Sequence, residues 1–257
     1  MTTLLRSEQQ PDNVRRSICQ LKQQLRQKIG DVDALYAQVR ESVVMELAAA
    51  RYEEAQSGSA WPQLSWQAIA ANEISEAQKA HIRRRGCVVI KGNFSRTQAL
   101  EWDASMMRYL DDNDFMTSYR GPGDDFFGNL AASRPEIYPI YWSQAQMSAR
   151  QSEAMATTQQ FLNRLWRFES QGKRWFDPDV SIIYPDRIRR RPPGTTSNGL
   201  GAHTDSGALE RWLLPAYQQV FRHIFNNRFA QYDPWDAAFR TEVNEYPSGT
   251  TTKCSVF

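Results

Sequence analysis

Between residues 13 and 29 the apolar positions Val14, Ile18, Leu21, Leu25 and Ile29 recur at spacings of four, three, four and four, with Arg15, Arg16, Lys22, Arg26 and Lys28 mostly between them. That period predicts an amphipathic helix. Gly30 can supply a left-handed stop, and Asp31 or Asp33 can cap a second helix whose apolar stripe is Leu35, Tyr36, Val39, Val43 and Leu47. The run Ser57-Gly58-Ser59 followed by Trp61-Pro62 breaks the pattern, so a boundary is expected near residue 60. This divides the chain into an N-terminal helical segment, 1–60, and a second region, 61–257.

The second region opens as helix, strand, helix. Ser75-x-x-Gln78 has capping-box spacing, the run to Arg85 stops at Gly86, and Cys87-Val88-Val89-Ile90 is a short apolar run of the kind a buried strand shows. Ser95-x-x-Gln98 repeats the capping signal ahead of Leu100, Trp102, Met106, Met107 and Leu110. Residues 111–128 read as loop, with five aspartates and Gly121-Pro122-Gly123. A helix is expected near 149–169, then a strand at Val180-Ser181-Ile182-Ile183-Tyr184.

Composition narrows the function classes. The chain has 257 residues, a 41% apolar set and a net charge of +2, which suit a globular protein with no overall field for holding nucleic acid or an anionic membrane. Cys19, Cys87 and Cys254 are far apart and odd in number, so free thiols in a reducing, cytoplasmic setting are expected. No stretch approaches the roughly 18 apolar residues of a membrane span. Gly121-x-Gly123 lacks a third glycine at 126, no G-K-[ST] occurs, and no G-x-S-x-G elbow accompanies Ser206, which sets aside dinucleotide, P-loop and serine-hydrolase chemistry. The aspartates of 111–125 lack calcium-loop spacing.

The candidate chemistry lies in Gly199-Leu-Gly-Ala-His203-Thr-Asp205-Ser-Gly207. On a strand, His203 and Asp205 share one face, as two ligands of one metal require. Gly201 and Gly207 fall on that face too and leave space beside such a metal. A histidine that only hydrogen-bonds in a turn or core is the competing reading. Arg187, Arg189, Arg190 and Arg191 lie between the expected strand and this motif. They can bind or steer an anionic cosubstrate, and a solvated loop stiffened by Pro192-Pro193 explains them equally well. Arg83-Arg84-Arg85 is read as a solvated helix end whose cations suit the C-terminal dipole.

The entry Arg-Arg-Gly86-Cys-Val-Val-Ile-Lys-Gly92 and the motif Gly-Ala-His203-Thr-Asp205-Ser-Gly resemble the opening strand and metal motif of the Fe(II)/2-oxoglutarate-dependent oxygenase superfamily. More specifically, Tyr184 to Gly194 and His203 to Trp212 are similar to the YbiU-like family of uncharacterised proteins, loosely described as oxidoreductases. The resemblance implies an α+β fold: N-terminal helices and a cupin-like double-stranded β-helix, or jelly roll, incomplete in this chain. It further implies Fe(II) held by His203 and Asp205, 2-oxoglutarate as cosubstrate, and a small-molecule substrate. Tyr184, Arg187 and Arg189 are the candidate cosubstrate contacts.

One departure stands out. The superfamily takes a distal histidine and a 2-oxoglutarate anchor from well downstream, yet only 52 residues (257 − 205) follow Asp205, and the sole histidine among them, His223, lies on the polar face of a helical stripe. His81 lies in another helix. The chain is therefore expected to be part of a longer oxygenase and inactive alone. Two alternatives stand: a metal-dependent cupin isomerase or lyase, or a non-catalytic cupin-like scaffold that self-associates through a seam of Val14, Ile18, Leu21 and Leu25.

Overall fold

The computed structural model describes residues 11–118, 137–138, 140–181, 186–189, 213 and 215–240. Helix α1 (Pro11–Ile29) opens on a proline, whose missing N–H costs nothing in the first turn, and stops at Gly30, φ 75°. Asp31 then caps α2 (Val32–Ser57) by accepting from Ala34 N at 2.8 Å, and Gly58 closes it in the left-handed conformation. The expected break at 57–58 is thus the end of a helix.

The α2 stripe splits. At 100° per residue, Leu35, Val39, Ser42, Ala49 and Glu53 form the inward row, while Tyr36, Val43 and Leu47 lie about 100° round the helix and are exposed. On α1, Leu21 and Leu25 are buried against Phe225, with Ile29, Leu213 and Phe221 packed around them. The seam assigned to a partner is therefore occupied within the chain at these two residues.

Strand β1 (Gln63–Ser65) leads into α3 (Trp66–Ala70), capped by Ser65, and α4 (Glu76–Arg85) carries the full predicted box: Ser75 Oγ accepts from Gln78 N, and Gln78 Oε1 accepts from Ser75 N. Gly86 ends α4 at φ 70°. The apolar run that follows yields β2 (Val89–Lys91), paired in parallel with β1 in the register Leu64↔Ile90. It is not the buried strand expected, for among the described residues the sheet has two strands and Val89 is 43% exposed. Helix α5 (Arg96–Asp112) starts at Ser95 as predicted, and α6 (Phe115–Ser118) occupies part of the expected loop.

Strand β3 (Ile137–Tyr138) precedes α7 (Gln144–Arg150) and α8 (Glu153–Asn163). The single helix expected over 149–169 is two, because Ser152 accepts from Met155 N and restarts the helix after Gln151 has ended α7. Beyond Asn163 the chain turns into a hairpin, β4 (Glu169–Ser170) with β5 (Lys173–Arg174), across Gln171 and Gly172, both at positive φ. Val180 and Ser181 belong to no strand; Ile182–Tyr184 lie outside the described residues. Strand β6 (Ile188–Arg189) pairs antiparallel with β3, and α9 (Pro215–Val220) and α10 (Arg222–Phe225) follow.

The core forms where α3, α4 and α8 meet the β1/β2 pair: Leu64, Ile69, Ile74, Ile82 and Leu165 are buried, flanked by Ile90, Phe161, Leu162 and Trp235. The described residues are thus mostly helix, with three two-stranded sheets. The strand expected at His203 lies outside them. No helix among the described residues is long and apolar enough to cross a membrane.

Candidate functional site

The segment that leads into the His203 motif is held by one polar residue. Gln146 is 6% exposed, and its Oε1 closes a capping box by accepting from Ser143 N at 3.1 Å. Its Nε2 donates to two backbone carbonyls, Ile140 O and Asp186 O, each at 2.9 Å. One amide thus caps α7 and ties residue 186 to residue 140. Ile188 is buried, and its N–H donates to Ile140 O. Arg150 adds charge: its Nε lies 2.6 Å from Asp186 Oδ1, it donates to Tyr141 O, and its guanidinium stacks 5.2 Å from the Trp142 ring centroid.

Arg187 is on the exposed side of this attachment. Its Nε donates to Tyr141 Oη at 3.0 Å and its guanidinium lies over the Tyr141 ring at 5.9 Å. A guanidinium placed against an aromatic ring is oriented by it. Of the five residues singled out from the sequence, Arg187 has a described side chain, and Arg189 is placed by its backbone in β6. Tyr184, His203 and Asp205 lie outside the described residues. The structure gained Tyr141, Gln146 and Arg150 for the site's approach; Ser143-x-x-Gln146 carries the same spacing as Ser75-x-x-Gln78 and was the signal to read.

The other histidines are engaged elsewhere. His223 sits in α10 with its ring edge-on to Phe239 at 5.6 Å. His81 Nε2 lies 3.0 Å from Glu53 Oε2. Among the described residues no group of three or more His, Cys, Asp or Glu side chains is placed to hold a metal.

Glu53 is also the partner of the arginine run, which corrects its reading as a solvated helix end. Arg85 is 7% exposed and reaches Glu53 Oε2 at 2.5 Å and Glu46 Oε2 at 2.9 Å; Arg84 pairs with Glu53 as well, and Arg83 Nε donates to Leu165 O at 2.6 Å. The hydrogen bond from Arg85 first, then that from His81 and the two guanidinium charges, hold the Glu53 carboxyl below its ordinary value against the opposing effect of desolvation. The run clamps α4 to α2 and to the end of α8.

Comparison with known proteins gives a consistent set. The chain is 60% identical over all 257 residues to the Escherichia coli (strain K12) "Uncharacterized protein YbiU", and spans 61% of that protein's length. It matches the crystal structure described as "Putative Oxidoreductase from Salmonella typhimurium LT2" at 60% identity with a TM-score of 0.85, covering 98% of this chain and 60% of that one. GlcNAc Inducible Gene 2, GIG2 (DUF1479), from Candida albicans shares the fold at 21% identity and a TM-score of 0.67, over 87% of this chain and 46% of its own. The Gig2-like family matches residues 12–257, nearly the whole sequence, and the chain belongs to that family.

Proposed function

We propose that this chain is the His203- and Asp205-bearing part of a non-haem Fe(II)/2-oxoglutarate-dependent oxidoreductase. The observation that carries the reading is the coincidence of His203-Thr-Asp205, set between Gly201 and Gly207, with 60% identity to a Salmonella protein described as an oxidoreductase. One imidazole nitrogen and one carboxylate oxygen, two residues apart, fit two of the three protein positions of a facial Fe(II) site. When bound, Fe(II) with 2-oxoglutarate and dioxygen supplies the oxidation: one oxygen atom enters a C–H bond of the substrate, and 2-oxoglutarate leaves as succinate and carbon dioxide.

The chain's own residues bind and orient. His203 and Asp205 would hold the metal, and a third ligand would have to come from elsewhere, as from the part of the longer relatives that this chain does not span. Arg187, held by Tyr141, and Arg189, at the end of β6, would supply positive charge for the anionic cosubstrate, with Tyr184 as a further candidate contact. Gln146 and Arg150 position the segment from which this group extends.

Anaerobic Fe(II) titration of the chain, read by calorimetry, tests the assignment. His203→Ala and Asp205→Ala should each weaken binding by about tenfold or more, since loss of even an outer-shell partner costs about 10–100-fold. Unchanged affinity in both variants would overturn the assignment.

A further inference from the structure

Helix α2 has two rows at coiled-coil spacing. The inner row, through Leu35, Val39, Glu46 and Glu53, packs and pairs within the chain. The outer row is Tyr36, Arg40, Val43, Leu47, Ala50 and Glu54, separated by four, three, four, three and four residues. Tyr36 is 68%, Val43 52% and Leu47 54% exposed, so the apolar part of this row is exposed over about 16 Å of helix. A helix that only had to pack on its own chain needs one such row.

We propose that this outer face of α2 is a self-association surface, pairing antiparallel with the same face of a second copy about a two-fold axis at Leu47. The charges select that geometry. Arg40 and Glu54 stand seven residues to either side of Leu47, and neither has an ion pair with the described residues, whereas Glu46 and Glu53 on the inner row are both paired. Antiparallel pairing sets Arg40 of each copy against Glu54 of the other and brings Leu47 onto Leu47. A parallel pair in register would instead oppose Arg40 to Arg40 and Glu54 to Glu54. A lipid surface suits the face poorly: α2 carries two basic residues (Arg40, Arg51) and five acidic ones (Asp33, Glu41, Glu46, Glu53, Glu54), and amphipathic membrane helices are basic on their polar side.

Sedimentation equilibrium of the chain over a wide concentration range tests this. A monomer–dimer equilibrium is expected, and Leu47→Asp, at an exposed position, should raise its dissociation constant at least about tenfold with an unchanged circular dichroism spectrum. Arg40→Glu or Glu54→Arg alone turns two attractive pairs into two repulsive ones and should weaken the dimer about tenfold, while the double exchange restores it to within about threefold of the parent. A monomer at every concentration overturns the proposal and leaves the face to the additional polypeptide of the longer relatives. A dimer indifferent to Leu47→Asp, or one the double exchange fails to restore, overturns it too.

Discussion

Gln146 does at one position what the fold elsewhere divides among several residues. Its carbonyl oxygen belongs to the start of α7 and its amino group to two carbonyls, Asp186 O and Ile140 O, the second of which also accepts from Ile188 N. A buried amide whose two ends serve different elements is costly to remove, because truncation breaks the α7 cap and both carbonyl bonds at once. Gln146→Ala should destabilise the protein by about 2–3 kcal/mol, seen as a lower midpoint in urea with an unchanged slope. Gln146→Glu keeps the capping oxygen but presents a carboxylate to two carbonyl oxygens, and should be no better than alanine. A midpoint within error of the parent for both variants would mean that the amide does not hold residue 186. If the Fe(II) reading holds, Gln146→Ala also weakens the metal without touching a ligand, because it frees the approach to the motif.

At the scale of elements, α2 and α4 are joined by charge where their apolar faces are thin. Glu53 gathers Arg84, Arg85 and His81, and Glu46 adds a second acceptor for Arg85. Since the folded-state carboxyl of Glu53 is held below its ordinary value, its contribution is fully present above the unfolded value of about 4.3 and is lost as pH falls through the lower folded value. Glu53→Gln should therefore be less stable than the parent at neutral pH, with the difference shrinking as the solution is acidified below about pH 4. Thermal midpoints measured from pH 7 to pH 3 check this. A gap that widens on acidification has the wrong sign and would remove Glu53 from the clamp.

The same elements show what a sequence exposes. Ser75, Gln78 and Gly86, with Ser95 before α5, were legible because a cap is settled within three or four residues. Strand β1 was not, since Gln63-Leu64-Ser65 is too short for a period and exists through its pairing with residues 26 further along. The arginine run misled for a related reason: its sequence suits a helix end, and the carboxylates that take it up lie about 30 residues back, on another helix. Likewise, the α2 stripe merged two rows that a helix only 100° of rotation apart keeps separate. His203-x-Asp205 was legible as a spacing. It lies outside the described residues.

Considered as a whole, the described residues that precede and follow 190–212 in sequence are each packed against another part of the chain. Residues 186–189 are fixed to 140–150 by Gln146 and Arg150, and to 137–138 by the β3/β6 pair. On the C-terminal side, Phe225 and Leu213 pack on Leu21 and Leu25, so α1 holds the described residues around α10. This assigns α1 a task within the chain, distinct from association through the outer face of α2. Leu21 and Leu25 are both buried, and burial of this kind is worth about 2–5 kcal/mol per leucine truncated, less when two neighbours share one cavity. Leu21→Ala with Leu25→Ala should thus lower stability by at least about 3 kcal/mol in urea, while the dissociation constant of the dimer, measured where both proteins are folded, stays within about threefold of the parent. The opposite result, an intact urea midpoint and a lost dimer, would return α1 to the surface as the partner-facing helix.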